Sequence, residues 1–262
     1  MTARVSARRL AALRSGLSDR DWQIVTTLAR VRVATADQLE RLWFADVSRR
    51  RAQQRLTALT KRRIIARLPR TIGGVRAGSR GHVYALDVVG ARLAGLGEGR
   101  RSHGPRPVGL PYLAHALAIS EVYTGLVVAG RAEQLRLVRF VAEPGCWRSF
   151  YGAGGVRATL KPDGLAVVAF DGYEDHWFIE LDQGTESAAA ITRKLAVYRG
   201  YWQSGTEQNR TGLFPKILWL VPDADRAAVL RGVIARQPEP VRALFVVALQ
   251  ADAVTRMRQE AE

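Results

Sequence analysis

The 262-residue chain contains a single cysteine, Cys146, which excludes an internal disulfide and a cysteine-rich zinc site. Its four histidines, His82, His103, His115 and His176, are scattered, so no His-hydrophobic-His metal motif is present. No apolar run approaches the roughly 18 residues that would suggest a membrane span. Arg4, Arg8, Arg9 and Arg14 near the start are not followed by the apolar core of a signal peptide, and a cytoplasmic protein is expected. No Gly-Lys-Ser/Thr follows the glycines at 152, 154 and 155, which argues against a phosphate-cradling nucleotide loop. Negative charge is scarce in one half only. Residues 1–100 carry 21 Lys+Arg against 7 Asp+Glu, and residues 101–262 carry 19 against 17.

A segment this basic attracts polyanions, and neutralising phosphates gives binding that weakens steeply with salt. No amphipathic helix combining a basic face with a broad apolar face stands out, so double-stranded DNA is the expected partner rather than a membrane. Ser18 is placed to cap a helix with Trp22, Ile24, Val25 and Leu28 inward, and Thr35 to cap another with Leu39, Leu42 and Trp43 inward. A third helix, 48–61, would bury Ala52, Leu56 and Leu59. Its open side would show Arg49, Arg50, Gln53, Gln54, Thr57 and Lys61. Arginine and glutamine pair bidentately with guanine and adenine edges. Strands at 64–68 and 82–86 around a Gly- and Arg-rich turn complete a winged helix-turn-helix, with Arg70, Arg76 and Arg80 on the wing reaching phosphates or a minor groove. The alternative is a merely solvated basic face.

Glycine and proline cluster in residues 96–111, the expected linker between a domain at 1–95 and another at 112–262. The second begins with an apolar helix, 112–128, carrying His115 and Glu121, and a lone acid or histidine on such a helix is more often a satisfied structural residue. A strand at 135–141 follows. The segment 145–157 reads either as a loop whose aromatics stack on bases or as ordinary packing. Strands at 216–221 and 243–249 flank a helix at 225–235.

Between them lies the stretch that carries the chemistry. Apolar runs 165–170 and 177–181 flank Asp171-Gly172-Tyr173-Glu174, a hairpin signal. A four-residue loop pairs Phe170 with Asp175 and sets Asp163 opposite Asp182, with Glu180 on the same face. Three neighbouring carboxylates repel one another unless a cation or proton sits among them, and such oxygen donors suit Mg²⁺ or Mn²⁺. The alternative places Asp163 in a turn and the other two acids on a solvated edge. Gly184 to Ser187 then offers a turn and cap for a helix from Ala188, with Ile191, Leu195, Tyr198 and Trp202 as its apolar stripe and Lys194 beside it.

Pro162-Asp163 followed by Glu180-Leu181-Asp182 resembles the PD-(D/E)XK nuclease fold, a mixed α/β core of order α-β-β-β-α-β. The resemblance implies a metal site of Asp163, Glu180 and Asp182, with Glu121 on the helix before the first strand as a candidate outer ligand, and a catalytic set of Asp163, Glu180 and Lys194. Asp182 stands where that family has its lysine, so the lysine role passes to Lys194 on the following helix. More closely, the basic winged helix, PDG, ELDQGTES and KLAVYRGYW resemble the replication-relaxation family across 17–222. That resemblance implies a plasmid or mobile-element DNA-processing protein with a metal-dependent nicking activity, acting as a homodimer or with relaxosome or replication partners. A non-catalytic, sequence-specific DNA-binding regulator whose degenerate nuclease-like domain serves dimerisation or partner docking is the alternative. A relaxase with Tyr198 or Tyr201 as nucleophile is a third reading.

Overall fold

The computed structural model describes residues 6–68, 81–96 and 109–259. The chain divides into two compact units, Met1–Thr124 and Gly125–Glu262.

In the first unit, α1 (Ala7–Ser15) and α2 (Asp19–Val31) lead to a short β1 (Val33–Thr35). There follow α3 (Ala36–Trp43), α4 (Arg49–Lys61), β2 (Ile65–Arg67), β3 (Val83–Leu86) and α5 (Val88–Leu93). Ser18 and Thr35 each close a capping box, with Asp21 and Gln38 as the reciprocal side chains. The three strands form one antiparallel sheet in the order β1-β3-β2. This is the element order expected of the winged variant; β1, α1 and α5 were not foreseen from the sequence. Arg70, Arg76 and Arg80, expected on the wing, lie outside the described residues, as does most of the expected linker.

The helix α6 (Leu110–Arg131) is longer than the pattern suggested, and the unit boundary falls inside it instead of at 96–111. The reason is packing. Ala116 is buried with Val33 and Ala85, the Ser120 hydroxyl donates to the Val33 carbonyl at 2.6 Å, and Arg30 donates to the Tyr123 hydroxyl at 3.1 Å. By length and composition α6 could cross a membrane, contrary to the expectation from the sequence, but these contacts are those of a helix packed in a folded unit. Glu121 is bound by Arg41 at 2.6 Å and by Gln38 at 2.9 Å, so it belongs to this packing and not to a metal site.

The second unit continues with β4 (Arg136–Ala142), β5 (Arg148–Tyr151), β6 (Arg157–Leu160), β7 (Gly164–Phe170) and β8 (Tyr173–Leu181). Then come α7 (Ala188–Gln203), α8 (Thr206–Thr211), β9 (Lys216–Val221), α9 (Ala224–Ile234), β10 (Phe245–Leu249) and α10 (Ala253–Gln259). Five strands form a mixed sheet in the order β10-β9-β8-β7-β4, with β8 at its centre. Strands β4, β7 and β8 are antiparallel neighbours, whereas β8, β9 and β10 run parallel through α7 and α9. The fold is therefore mixed α/β with the expected α-β-β-β-α-β order, into which β5 and β6 are inserted as a separate antiparallel pair. Leu165, Val167 and Phe178 from the sheet bury against Ile191, Leu195, Tyr198 and Tyr201 of α7. Tyr201 takes the fully buried position, its hydroxyl bonded to Glu207 of α8, while Trp202 packs half-buried against the same core.

One buried charge fixes the pitch of α4 against α2. Asp21 is wholly buried and accepts two bonds from Arg55, one at 2.6 Å, besides capping α2. Removing the carboxylate strands a guanidinium and opens the capping box at once. Asp21→Ala should lower stability by about 3 kcal/mol, measured as a shift in the urea midpoint, whereas Asp46→Ala at the exposed Arg20 pair should leave the midpoint almost unmoved.

Candidate active site

The β7–β8 hairpin turns through two residues, Asp171 and Gly172, at φ of 48° and 85°. Both positive values belong to the type I′ turn that Asp-Gly favours, whose twist matches the flanking strands. Phe170 therefore faces Tyr173, not Asp175. The register differs by two residues from the four-residue reading, so every side chain keeps its face. Continuing the ladder from Gly164 opposite Ile179 puts Asp163 opposite Glu180 instead of Asp182.

Glu180 is wholly buried on the central strand. A lone carboxylate there would be prohibitively costly, and α7 supplies its partners. Lys194 donates to Oε2 at 2.8 Å and the Tyr198 hydroxyl to Oε1 at 2.5 Å. The two donors are four residues apart, hence on one face of the helix. Lys194 also reaches Glu186 at 3.0 Å and lies over the Trp219 ring, 5.4 Å from its centroid. Asp163 accepts the Leu181 N–H at 2.7 Å and donates its own N–H to the Ile179 carbonyl.

Asp182 does not join this pair. It is buried, accepts from Arg226 at 2.5 and 2.8 Å, and accepts the Gly184 N–H at 2.6 Å, stapling the start of α9 to the end of β8. The three-carboxylate cluster expected from spacing is thus two carboxylates plus a structural ion pair, and among the described residues no group of three His, Cys, Asp or Glu could hold a metal. Asp163 and Glu180 retain the hard oxygen donors that suit Mg²⁺ or Mn²⁺; Asp182 is taken by its arginine. The solvated-edge reading fails for Glu180, because β8 is flanked on both sides and covered by α7.

Burial first, then the charge of Asp163, pushes the Glu180 carboxyl up to about 8, while Lys194 and Tyr198 hold it down. Burial works against the Lys194 ammonium, but Glu180 and then Asp163 and Glu186 keep it charged to higher pH than usual. Burial and the facing Glu180 likewise raise the Tyr198 hydroxyl. Tyr198 and Tyr201 are both fully buried, so neither presents a nucleophile to DNA. Cys146 is buried, donates to the Pro162 carbonyl at 3.0 Å, and has its thiol raised to about 12 by burial.

Two features escaped the sequence reading. The buried Glu207 gathers Arg148 at 3.1 Å, Tyr201 and Arg210, tying β5 to α7 and α8. Tyr198 was read only as packing or nucleophile; its spacing from Lys194 was the available signal. In the first unit Arg49, Arg50, Gln53, Gln54, Thr57 and Lys61 are all exposed along α4, with Arg49 3.4 Å from Glu40.

The family model for replication-relaxation proteins matches residues 25–217, and the chain belongs to that family. No curated protein matches it significantly. Among solved structures, the restriction endonuclease FokI bound to DNA aligns over 98% of this chain with 10% identity and a TM-score of 0.28. FokI by itself aligns over 100% with 8% identity and a TM-score of 0.27. The chain spans about half the length of both, 51% and 47%. Likeness this loose supports no inference about chemistry.

A carboxyl whose folded pKa lies above its unfolded value makes the folded state bind more protons between the two, so stability falls as pH rises through that window. For Glu180 the window runs from 4.5 to about 8. Denaturation midpoints of wild type should therefore decline relative to Glu180→Gln from about pH 5 to pH 8, and carboxyl-detected NMR should place the Glu180 midpoint near 8. In Lys194→Met that midpoint should move higher still.

Proposed function

We propose that this is a DNA-processing protein of plasmid or mobile-element replication and relaxation, whose first unit binds duplex DNA as a winged helix and whose second unit nicks one strand at Asp163 and Glu180. The observation that carries the reading is the convergence of two acids, one immediately before β7 and one on β8, with a lysine from α7, in the order of elements of the nuclease core. Asp163 and Glu180 are the residues that would hold Mg²⁺ or Mn²⁺, which when bound polarises a phosphate and acidifies a water. Tyr198 holds Glu180 in one rotamer, and Lys194 offsets its charge and offers an ammonium to charge developing on the phosphate. Arg226 takes Asp182 out of the chemistry and so limits the acid excess beside the DNA backbone.

Nicking of supercoiled plasmid with Mg²⁺ or Mn²⁺ tests this. Asp163→Asn and Glu180→Gln should each lower the rate by about a hundredfold or more, and Lys194→Met by at least about tenfold. Equal rates in wild type and both acid variants would remove the site. One observation favours the non-catalytic reading: both oxygens of Glu180 are already engaged, by Lys194 and Tyr198. Under that reading wild type leaves plasmid intact, and calorimetry shows no Mn²⁺ uptake.

For the first unit, α4 is the proposed reader of the major groove. Arg50→Ala and Gln53→Ala should each cost roughly 5- to 100-fold in affinity for the preferred duplex, with relaxed sequence preference. Lys61→Ala, at a proposed phosphate contact, should weaken all sequences alike and flatten the salt dependence by about one unit of slope.

A further inference from the structure

We infer that the outer face of the β5–β6 hairpin is a binding platform for an unpaired DNA strand, leading it toward Asp163 and Glu180; the inference rests on the nicking role proposed above and names how a strand is held there. The hairpin pairs Arg148 with Leu160, Ser149 with Thr159, Phe150 with Ala158 and Tyr151 with Arg157. Alternation sorts these into two unlike faces. Inward, Phe150 and Leu160 are buried, Phe150 packs tilted against Tyr201 with centroids 5.1 Å apart, and Arg148 is bound to Glu207. Outward stand Ser149, Tyr151, Arg157 and Thr159, all exposed, with Tyr151 at 70%.

The same alternation carried one step past each strand end adds Trp147 and Lys161. The structure bears this out, since the Lys161 ammonium lies over the Trp147 ring 4.8 Å from its centroid. The face therefore presents two aromatic rings, two cations and two hydroxyls. Residues 147–161 contain no aspartate or glutamate.

Each part suits an unpaired strand better than another occupant. Exposed rings stack on bases, which duplex DNA keeps stacked on one another, while the cations track phosphates. Trp147 and Tyr151, four residues apart along one strand, are separated by about 13 Å, so each ring takes its own base. A partner protein docking through aromatics would more usually find an apolar core than cations and hydroxyls. Both ends of the hairpin are also fixed beside the acids. Lys161 precedes Asp163 by two residues, and Cys146, next to Trp147, donates to the Pro162 carbonyl. The inward anchors, Phe150 and the Arg148–Glu207 pair, hold the face in place so that binding does not first have to order it.

The test uses the full chain and fluorescence anisotropy with labelled oligo-deoxythymidine, and in parallel a labelled duplex. Tyr151→Ala should weaken oligonucleotide binding about tenfold and leave duplex binding unchanged. Arg157→Ser should weaken it and flatten its salt dependence, and Tyr151→Phe, which keeps the ring, should bind as wild type. Tyr173→Ala removes an equally exposed ring, 72% accessible, from the β7–β8 turn and should have no effect. Wild-type affinity in Tyr151→Ala, or an equal loss in Tyr173→Ala, overturns the platform. Asp163→Asn separates the two proposals: it should bind oligo-deoxythymidine normally while losing nicking. If Tyr151→Ala weakens binding but Asp163→Asn still nicks, the platform stands and the cleavage site falls.

Discussion

A carboxyl group buried on the middle strand of a five-stranded sheet constrains everything packed over it. Glu180 is tolerable there only because α7 brings an ammonium and a hydroxyl to its two oxygens, and Asp163 across the ladder makes even that arrangement proton-hungry. The helix must therefore begin where Ser187 caps it, and must present Lys194 and Tyr198 one turn apart on the inner face. The core around them is aromatic: Phe178, Tyr198, Tyr201, Phe214, Trp219 and Phe245 pack ring against ring. A polar pocket enclosed by rigid rings keeps its donors aimed, which a pocket enclosed by flexible aliphatic chains would not do as well.

The second unit thus separates its charges by task. Asp182 with Arg226, and Glu207 with Arg148 and Arg210, are closed pairs that join elements. Lys194 is shared between Glu180 and Glu186, so the patch around Asp163 and Glu180 keeps more acid than base. The first unit does the opposite: it keeps its acids for caps and helix clamps, such as Asp21 with Arg55, and leaves the cations and amides of α4 to solvent.

What could be read from the sequence was mostly what is local. Ser18, Thr35 and Ser187 announce helix starts because a cap needs only a side chain and the next three residues. The hairpin of β7 and β8 was legible in its alternation, and the face shared by Asp163 and Glu180 survived a misjudged turn because the error was an even number of residues. What was not legible depends on distant partners. Nothing near Asp182 in the chain points to Arg226, 44 residues away. Glu207 lies in a polar six-residue helix that reads as a solvated turn until Arg148 is brought to it. Residues 145–157, rich in glycine, looked like loop, yet the burial of Phe150 on α7 makes a strand pair of it.

The placement of the unit boundary within α6 bears on how such proteins can be recombined. A crossover in the glycine- and proline-rich stretch, which looks like the natural seam, would separate Val33 and Ala85 from Ala116 and leave the Val33 carbonyl without the Ser120 hydroxyl. Arg30, Arg41 and Gln38 would lose Tyr123 and Glu121 in the same cut. Exchange of the first unit between relatives therefore has to carry about the first four turns of α6 with it, so that stretch travels as an inherited part of the first unit even though the far end of the helix belongs to the second.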